Sequence, residues 1–211
     1  MEEAIFLRLR NQPRTPLPSP SPSSTSLIWL PIGFPNPTSH FVSHHLLVLK
    51  SSLSRTLRHF YPLAGRVTPL CGPSTDTRFE IRYSAGDSVP LTLAESADDF
   101  EQLSGDQPRG FGSVYSLILP LPPIDDGSIP LLVLQITVFL NQGVALDVAG
   151  HHVACDDSNS IHFVKSWVVA CIVGDSSESL LSPLPLLCDP TAIADPDGLY
   201  HKITLVALVP R

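Results

Sequence analysis

The sequence predicts an α/β domain, and three observations carry that expectation. Short stretches that alternate apolar and polar residues, as strands do, are interleaved with two longer segments whose apolar residues recur at helical spacing. Clusters of Pro, Gly, Asn, Asp and Ser separate these stretches. The chain has 211 residues, 43% of them hydrophobic, and a mean hydropathy of +0.19, enough for one sizeable core.

Residues 4–10 (AIFLRLR) alternate well enough for a short strand, which the Pro- and Ser-rich run at 11–24 (NQPRTPLPSPSPSS) then breaks. That run has nothing to bury and reads as an irregular or polyproline-like connection. Residues 25–35 (TSLIWLPIGFP) are apolar but interrupted by Pro31 and Pro35, and read as irregular. After Pro37, Thr38 or Ser39 is placed to cap a helix whose apolar residues Leu46, Leu49, Leu53, Leu57 and Phe60 fall three or four apart. Pro62 and Gly65, within YPLAGR, stop it. Residues 78–84 (RFEIRYS) and 89–96 (VPLTLAES) read as half-buried strands flanking a turn at AGDS, and 98–103 (DDFEQL) as a short helical turn.

Residues 129–140 (IPLLVLQITVFL) and 143–150 (GVALDVAG) read as two further strands, joined by a tight hairpin in which Gly143 tolerates positive φ. From Ser158 to Val173, the residues Ile161, Val164, Trp167, Val168 and Cys171 make one apolar stripe at helical spacing, which Gly174 ends. The Pro-rich stretches at 119–130 and 182–190 mark loops, and 202–209 (KITLVALV) reads as a last strand. His40, His44, His45 and His59 fall on the first helix and read as solvated or partly packed imidazoles, and Trp29 and Trp167 as core.

Charge narrows the partners. Thirteen Lys plus Arg against 20 Asp plus Glu give a net charge of -7, with no basic block to neutralise a phosphate backbone, so nucleic acid is not an expected partner. The apolar run at 129–140 is too short to cross a bilayer and contains Gln135, so no membrane partner is expected. Cys71, Cys155, Cys171 and Cys188 form no CxxC pair, and the acidic start MEEAIFLRLR is unlike a secretory signal; both point to a reducing, cytoplasmic setting.

Between the strand at 143–150 and the following helix, two histidines, a cysteine and two aspartates fall within residues 151–157. Three chemistries fit. His151, His152, Asp156, Asp157 and His162 supply ligands for zinc or a similar ion, although neighbouring histidines on a strand point to opposite faces and do not converge. Alternatively, the stretch is a polar turn in which Asp157 or Ser158 caps the helix. Finally, a histidine at a strand end can serve as a base, because an imidazole with a pKa of about 6.5 is largely neutral at pH 7. Asp156 then either orients the ring or pins the loop, and spacing does not separate those roles. Cys155, with no feature that would lower its pKa, reads as a small buried residue.

HHVACDD resembles the HxxxDG motif of the plant BAHD acyltransferases. Residues 37–67, ending in FYPLAGRV, look like that family's early helix and its FPLAGR element. Residues 82–109, 129–171 and 184–200 are similar to its later segments, in family order, and most nearly to members acting on anthocyanins and phenolic glucosides. The resemblance implies a chloramphenicol-acetyltransferase-like α/β fold, a mixed sheet with flanking helices. It also implies transfer of an acyl group, malonyl or hydroxycinnamoyl, from acyl-CoA to a hydroxyl of a phenolic or flavonoid glycoside. By the same resemblance His152 is the general base, Asp156 is structural and pairs with an arginine, acyl-CoA is a co-substrate with no permanently bound cofactor, and the protein is monomeric.

The resemblance divides the chain at 38 and 39: an N-terminal strand with its Pro/Ser-rich segment, then an acyltransferase domain at 39–211 that stops before the family's second domain, with its DFGWG motif. Asp157 stands where the family has glycine, a strained choice if that position needs positive φ. The family's LPLTFFD is kept only in fragments within residues 17–35. A truncated, catalytically inactive fragment that serves as a binding or interaction domain, or has no function, is the alternative reading.

Overall fold

A computed structural model of the chain describes residues 5–10, 25–33, 37–70, 78–105 and 128–174. The Pro/Ser-rich run, the Pro-rich stretches at 119–127 and 182–190, the strand expected at 202–209, Cys71 and Cys188 lie outside these residues. Eight strands are described: β1 (Ile5–Arg10), β2 (Thr25–Gly33), β3 (Arg66–Leu70), β4 (Arg78–Arg82), β5 (Val89–Ser96), β6 (Ile129–Pro130), β7 (Leu132–Phe139) and β8 (Gly143–His151). The helices are α1 (Thr38–His40), a π turn (Phe41–His45) and α2 (Leu46–His59) in continuous succession, then α3 (Phe100–Ser104) and α4 (Asp157–Val173).

The main sheet has five strands in the order β1-β5-β7-β8-β2. β1, β5 and β7 run parallel, whereas β8 is antiparallel to both β7 and β2, so the sheet is mixed as expected. A parallel strand in the middle of a sheet is covered on both faces. β5 is accordingly buried at Val89 and from Leu91 to Ala94, not half-buried as its alternation predicts. β2 overturns a second expectation, since residues 25–33 form a nine-residue strand despite Pro31. It lies at the sheet edge, where a missing proline N–H costs no ladder bond on the outer side.

Both long helices cover one face. Leu53, Leu57 and Phe60 of α2 and its C-terminal turn pack with Phe163, Val164 and Trp167 of α4 against Leu91, Leu134, Ile136, Leu146 and Val148. Three polar contacts lock the helices together: Trp167 Nε1 donates to Leu49 O (3.1 Å) and to Ser52 Oγ (3.0 Å), and Arg55 Nη2 donates to Ala170 O (2.8 Å). The alternate residues of β7 and β8 face the other way, where Phe139 and Ala145 join Phe100 and Leu103 of α3. Gln135, Thr137 and Asp147 are buried on that face too, with Gln135 Nε2 donating to Thr137 Oγ1 at 2.8 Å.

Several local expectations are adjusted. The first helix takes Pro37 as its N-cap with no side-chain cap bond, because Thr38 is already helical and its Oγ1 accepts instead from Asn141 N–H at 3.4 Å. The turn at 98–103 is as expected, with Asp99 capping α3 through Glu101 N–H and Gln102 N–H. The hairpin forms, but positive φ falls on Asn141 (56°), and Gly143 is needed for space: a Cβ there would lie 2.6 Å from the Phe100 ring. On α4 the buried stripe is Ser160, Phe163, Val164, Trp167 and Ala170, while Ile161 and Val168 are about half exposed, at 47% and 49%. Gly174, with φ 60°, ends α4 as predicted.

Candidate active site

The residues at 151–157 sit where two sheets are spliced. The smaller sheet has the order β4-β3-β6, and β6 leads through one residue, Leu131, into β7 of the main sheet. Leu131 N–H donates to Gly65 O (3.1 Å), and Leu131 O accepts from His151 N–H (2.8 Å). The YPLAGR element and the end of β8 are thereby held to the same residue from opposite sides. Gly65 is required here, because a Cβ on it would lie 2.5 Å from Arg82 O and 3.0 Å from Pro62 O, both backbone atoms. Next to it, Arg66 pairs with Asp87 from the AGDS turn, and Asp87 Oδ2 accepts from Ser84 N–H at 2.7 Å. Sequence reasoning missed Leu131 altogether; it lies within a uniform apolar run, and only the two-sheet geometry singles it out.

After His151 the chain turns through His152, Val153 and Ala154, closed by Ala154 N–H donating to His151 O at 2.9 Å. His151 is half-buried and its Nδ1 accepts from Val153 N–H at 3.2 Å, which places the proton of the neutral ring on Nε2. Burial pushes the His151 pKa below its ordinary value, and the neighbouring His152 lowers it further. His152 is exposed, and among the described residues its ring has no hydrogen-bond partner. One ring is therefore held within the turn, and the other faces solvent.

Asp156 resolves which residue caps α4. It has extended backbone angles (φ -81°, ψ 177°), its Oδ1 accepts from Asn159 N–H at 2.8 Å, and its carbonyl accepts from Ser160 N–H (3.0 Å) and Ser160 Oγ (2.9 Å). The cap is Asp156 and not Asp157 or Ser158, because only Asp156 precedes the first helical residue with a carboxylate one turn from an open N–H. Asp157 occupies the first helical position with no positive φ, so the strain expected from its replacing glycine is absent; a carboxylate there also favours the helix dipole.

The remaining members of the cluster are separated. His162 lies on α4 with its ring 5.6 Å from that of Phe60, and no group of three or more His, Cys, Asp or Glu among the described residues is arranged to hold a metal ion. Cys155 is half-buried; burial pushes its thiol pKa up, a contact to Ser160 Oγ (3.2 Å) opposes this, and Asp156 and Asp157 add to it. A small apolar cavity lies under the turn, lined by Leu63, Leu132, Val148, Gly150, Cys155 and Phe163 among others, and His152 is not part of its wall.

A mixed sheet with both long helices on one face, and an HxxxD turn between its last described strand and helix, is the N-terminal half-fold of the BAHD type. A profile of the family described as "Transferase family" matches residues 32–180, and the chain belongs to that family. It is 35% identical over 184 residues to the malonyl-coenzyme:anthocyanin 5-O-glucoside-6'''-O-malonyltransferase of Salvia splendens, covering 80% of this chain and 38% of that protein. It is 41% identical over 157 residues to the malonyl-CoA:anthocyanidin 5-O-glucoside-6''-O-malonyltransferase of Arabidopsis thaliana, covering 74% and 34%. Among solved structures, TRI101 of F. sporotrichioides, complexed with coenzyme A and T-2, shares the fold with a TM-score of 0.52 at 22% identity, covering 76% of this chain and 38% of that one. The chain thus spans less than two fifths of the length of these relatives.

Proposed function

We propose that this chain is the N-terminal half of an acyltransferase that moves a malonyl or hydroxycinnamoyl group from acyl-CoA to a hydroxyl of a phenolic or flavonoid glycoside, with His152 as general base. The names of its relatives support the substrate classes, pairing malonyl and coumaroyl donors with anthocyanin or phenolic glucosides. The observation that carries the reading is the turn itself. His152 is exposed on three residues clamped on one side by Leu131 and on the other by the Asp156 cap.

In this mechanism the His152 imidazole takes the proton of the acceptor hydroxyl as its oxygen attacks the thioester carbonyl. The tetrahedral intermediate then collapses with cleavage of the C–S bond, and coenzyme A leaves as the thiol, protonated by the imidazolium. No acyl-enzyme forms, because the acceptor attacks directly. Asp156 acts as a positioning residue through the backbone of the turn. The protein works as a monomer in the cytoplasm, a setting that fits the free thiols of Cys155 and Cys171; among the described residues no helix is long and apolar enough to cross a membrane.

The test is thiol release from malonyl-CoA and coumaroyl-CoA in the presence of anthocyanin or phenolic glucosides. His152→Ala is expected to lower turnover about 10²- to 10⁴-fold without loss of fold. Turnover unchanged by that substitution would remove His152 from the chemistry.

A further inference from the structure

We propose that His40 and His44, one turn apart at the start of the long helix, form a chelating site for a late first-row divalent cation of the copper(II) or zinc(II) kind. Four residues apart on this helix, His40 and His44 fall on one face, one above the other, whereas His45 and His59 do not share that register with His40. In an α-helix each residue advances about 100° around the axis, so residues five apart, such as His40 and His45, end about 140° apart. The turn at Phe41–His45 is instead of the π kind, closed by Leu46 N–H donating to Phe41 O. Its wider turn leaves the fourth residue on over the first, as in an α-helix, and swings the fifth back toward it.

The rings show this. His40 and His44 are stacked with centroids 4.6 Å apart and planes 18° apart, and the His45 ring lies 5.4 Å from that of His40. All three side chains are exposed. Two bonds of about 2.0–2.1 Å to one ion require nitrogens no more than about 4 Å apart, so the two stacked rings must turn about their side-chain bonds until their in-plane lone pairs converge on the ion. Among the described residues no set of three ligands already surrounds one point, so water completes the coordination.

A second feature prepares His44. Its Nδ1 lies 2.6 Å from Ser43 Oγ, and Ser43 Oγ donates to His40 O at 3.3 Å. The arrangement that satisfies both contacts has Nδ1–H donating to the hydroxyl, which leaves the lone pair on Nε2. Metal-binding histidines are commonly held in this way, with one ring N–H bonded to a neighbouring group and the other nitrogen offered to the ion. No acidic residue lies in the first turn of α1 or of the π turn, so the donors there are imidazoles, which suit copper, nickel and zinc and not magnesium or calcium.

The test is titration of the purified full chain with Cu²⁺, Zn²⁺ and Mg²⁺ in a non-coordinating buffer, followed by calorimetry and, for copper, by electron paramagnetic resonance. The expected result is one copper ion with hyperfine structure from two imidazole nitrogens, bound more tightly than zinc, and no binding of magnesium. His44→Ala and His40→Ala each weaken copper binding by about tenfold or more, with unchanged circular dichroism, while His152→Ala leaves it unaltered. Copper binding that survives in the double variant, or that is lost in His152→Ala instead, would overturn the proposal. Both outcomes are readable whether or not the chain turns over acyl-CoA.

Discussion

Replacing Asp156 by alanine separates its two conceivable roles. The substitution deletes the bond from Asn159 N–H to Oδ1, 2.8 Å long, and leaves the Asp156 carbonyl and its two bonds from Ser160 in place. Loss of an N-cap costs about 1 kcal/mol, within a range of roughly 0.5–2. Removing the negative charge from the helix start adds about 0.3–1 kcal/mol. The total, about 1–2 kcal/mol, corresponds to a fall in Tm of roughly 3–6 °C for a chain of this size. Asp156→Asn keeps a capping oxygen and loses only the charge, so about 1–3 °C is expected. His152→Ala, at an exposed position, should alter stability by less than about 0.5 kcal/mol while turnover falls. Thermal and urea unfolding of the three variants, run beside the thiol-release assay, give all of these numbers. If Asp156→Asn were as damaging as Asp156→Ala, the charge and not the cap would be the essential feature. A loss above about 4 kcal/mol would mean a buried ion pair in place of an exposed cap.

Gly65→Ala places a methyl 2.5 Å from Arg82 O and should cost about 1–3 kcal/mol by equilibrium unfolding; a cost below about 0.5 would show that the two sheets are not closely joined there. His151 titrates below 6.5 when folded, so as pH falls through 6.5 the unfolded chain takes up its proton first and stability drops toward the lower folded value, with no contribution above 6.5. Replacing His151 by Gln should flatten that part of the stability–pH curve, and a slope identical to that of the parent chain would contradict a neutral, half-buried ring. The raised thiol pKa of Cys155 predicts slower alkylation by iodoacetamide at pH 7.5 in the native chain than in urea, read by peptide mass mapping; equal rates would show an open, ordinary thiol.

Where an element depends on its own residues, the sequence was sufficient. The apolar spacing of α2, the existence and end of α4, the short helical turn at α3 and the Asn-Gln-Gly hairpin are all short-range features, each written within a few consecutive residues. The candidate site residues could be singled out for the same reason, since HHVACDD is a local motif next to a local helix signal. Even there the division of labour was not: nothing in the spacing says that His151 is half-buried and bonded to Leu131 while His152 is exposed, or that Asp156 and not Asp157 caps the helix.

Tertiary structure alone decided the rest. Residues 25–33 become a strand because β8 offers them a ladder and the sheet edge tolerates Pro31, and the run at 129–139 divides between two sheets at Leu131. Gly143 answers to the Phe100 ring, more than 40 residues away in the chain, and Gly65 to the Arg82 carbonyl. Strand pairing, close approach and burial join residues far apart in sequence, and their free energy depends on partners that no local window contains. A chain's own pattern specifies which segments can form strands and helices; which strand lies beside which, and which histidine faces solvent, is settled only when those segments meet.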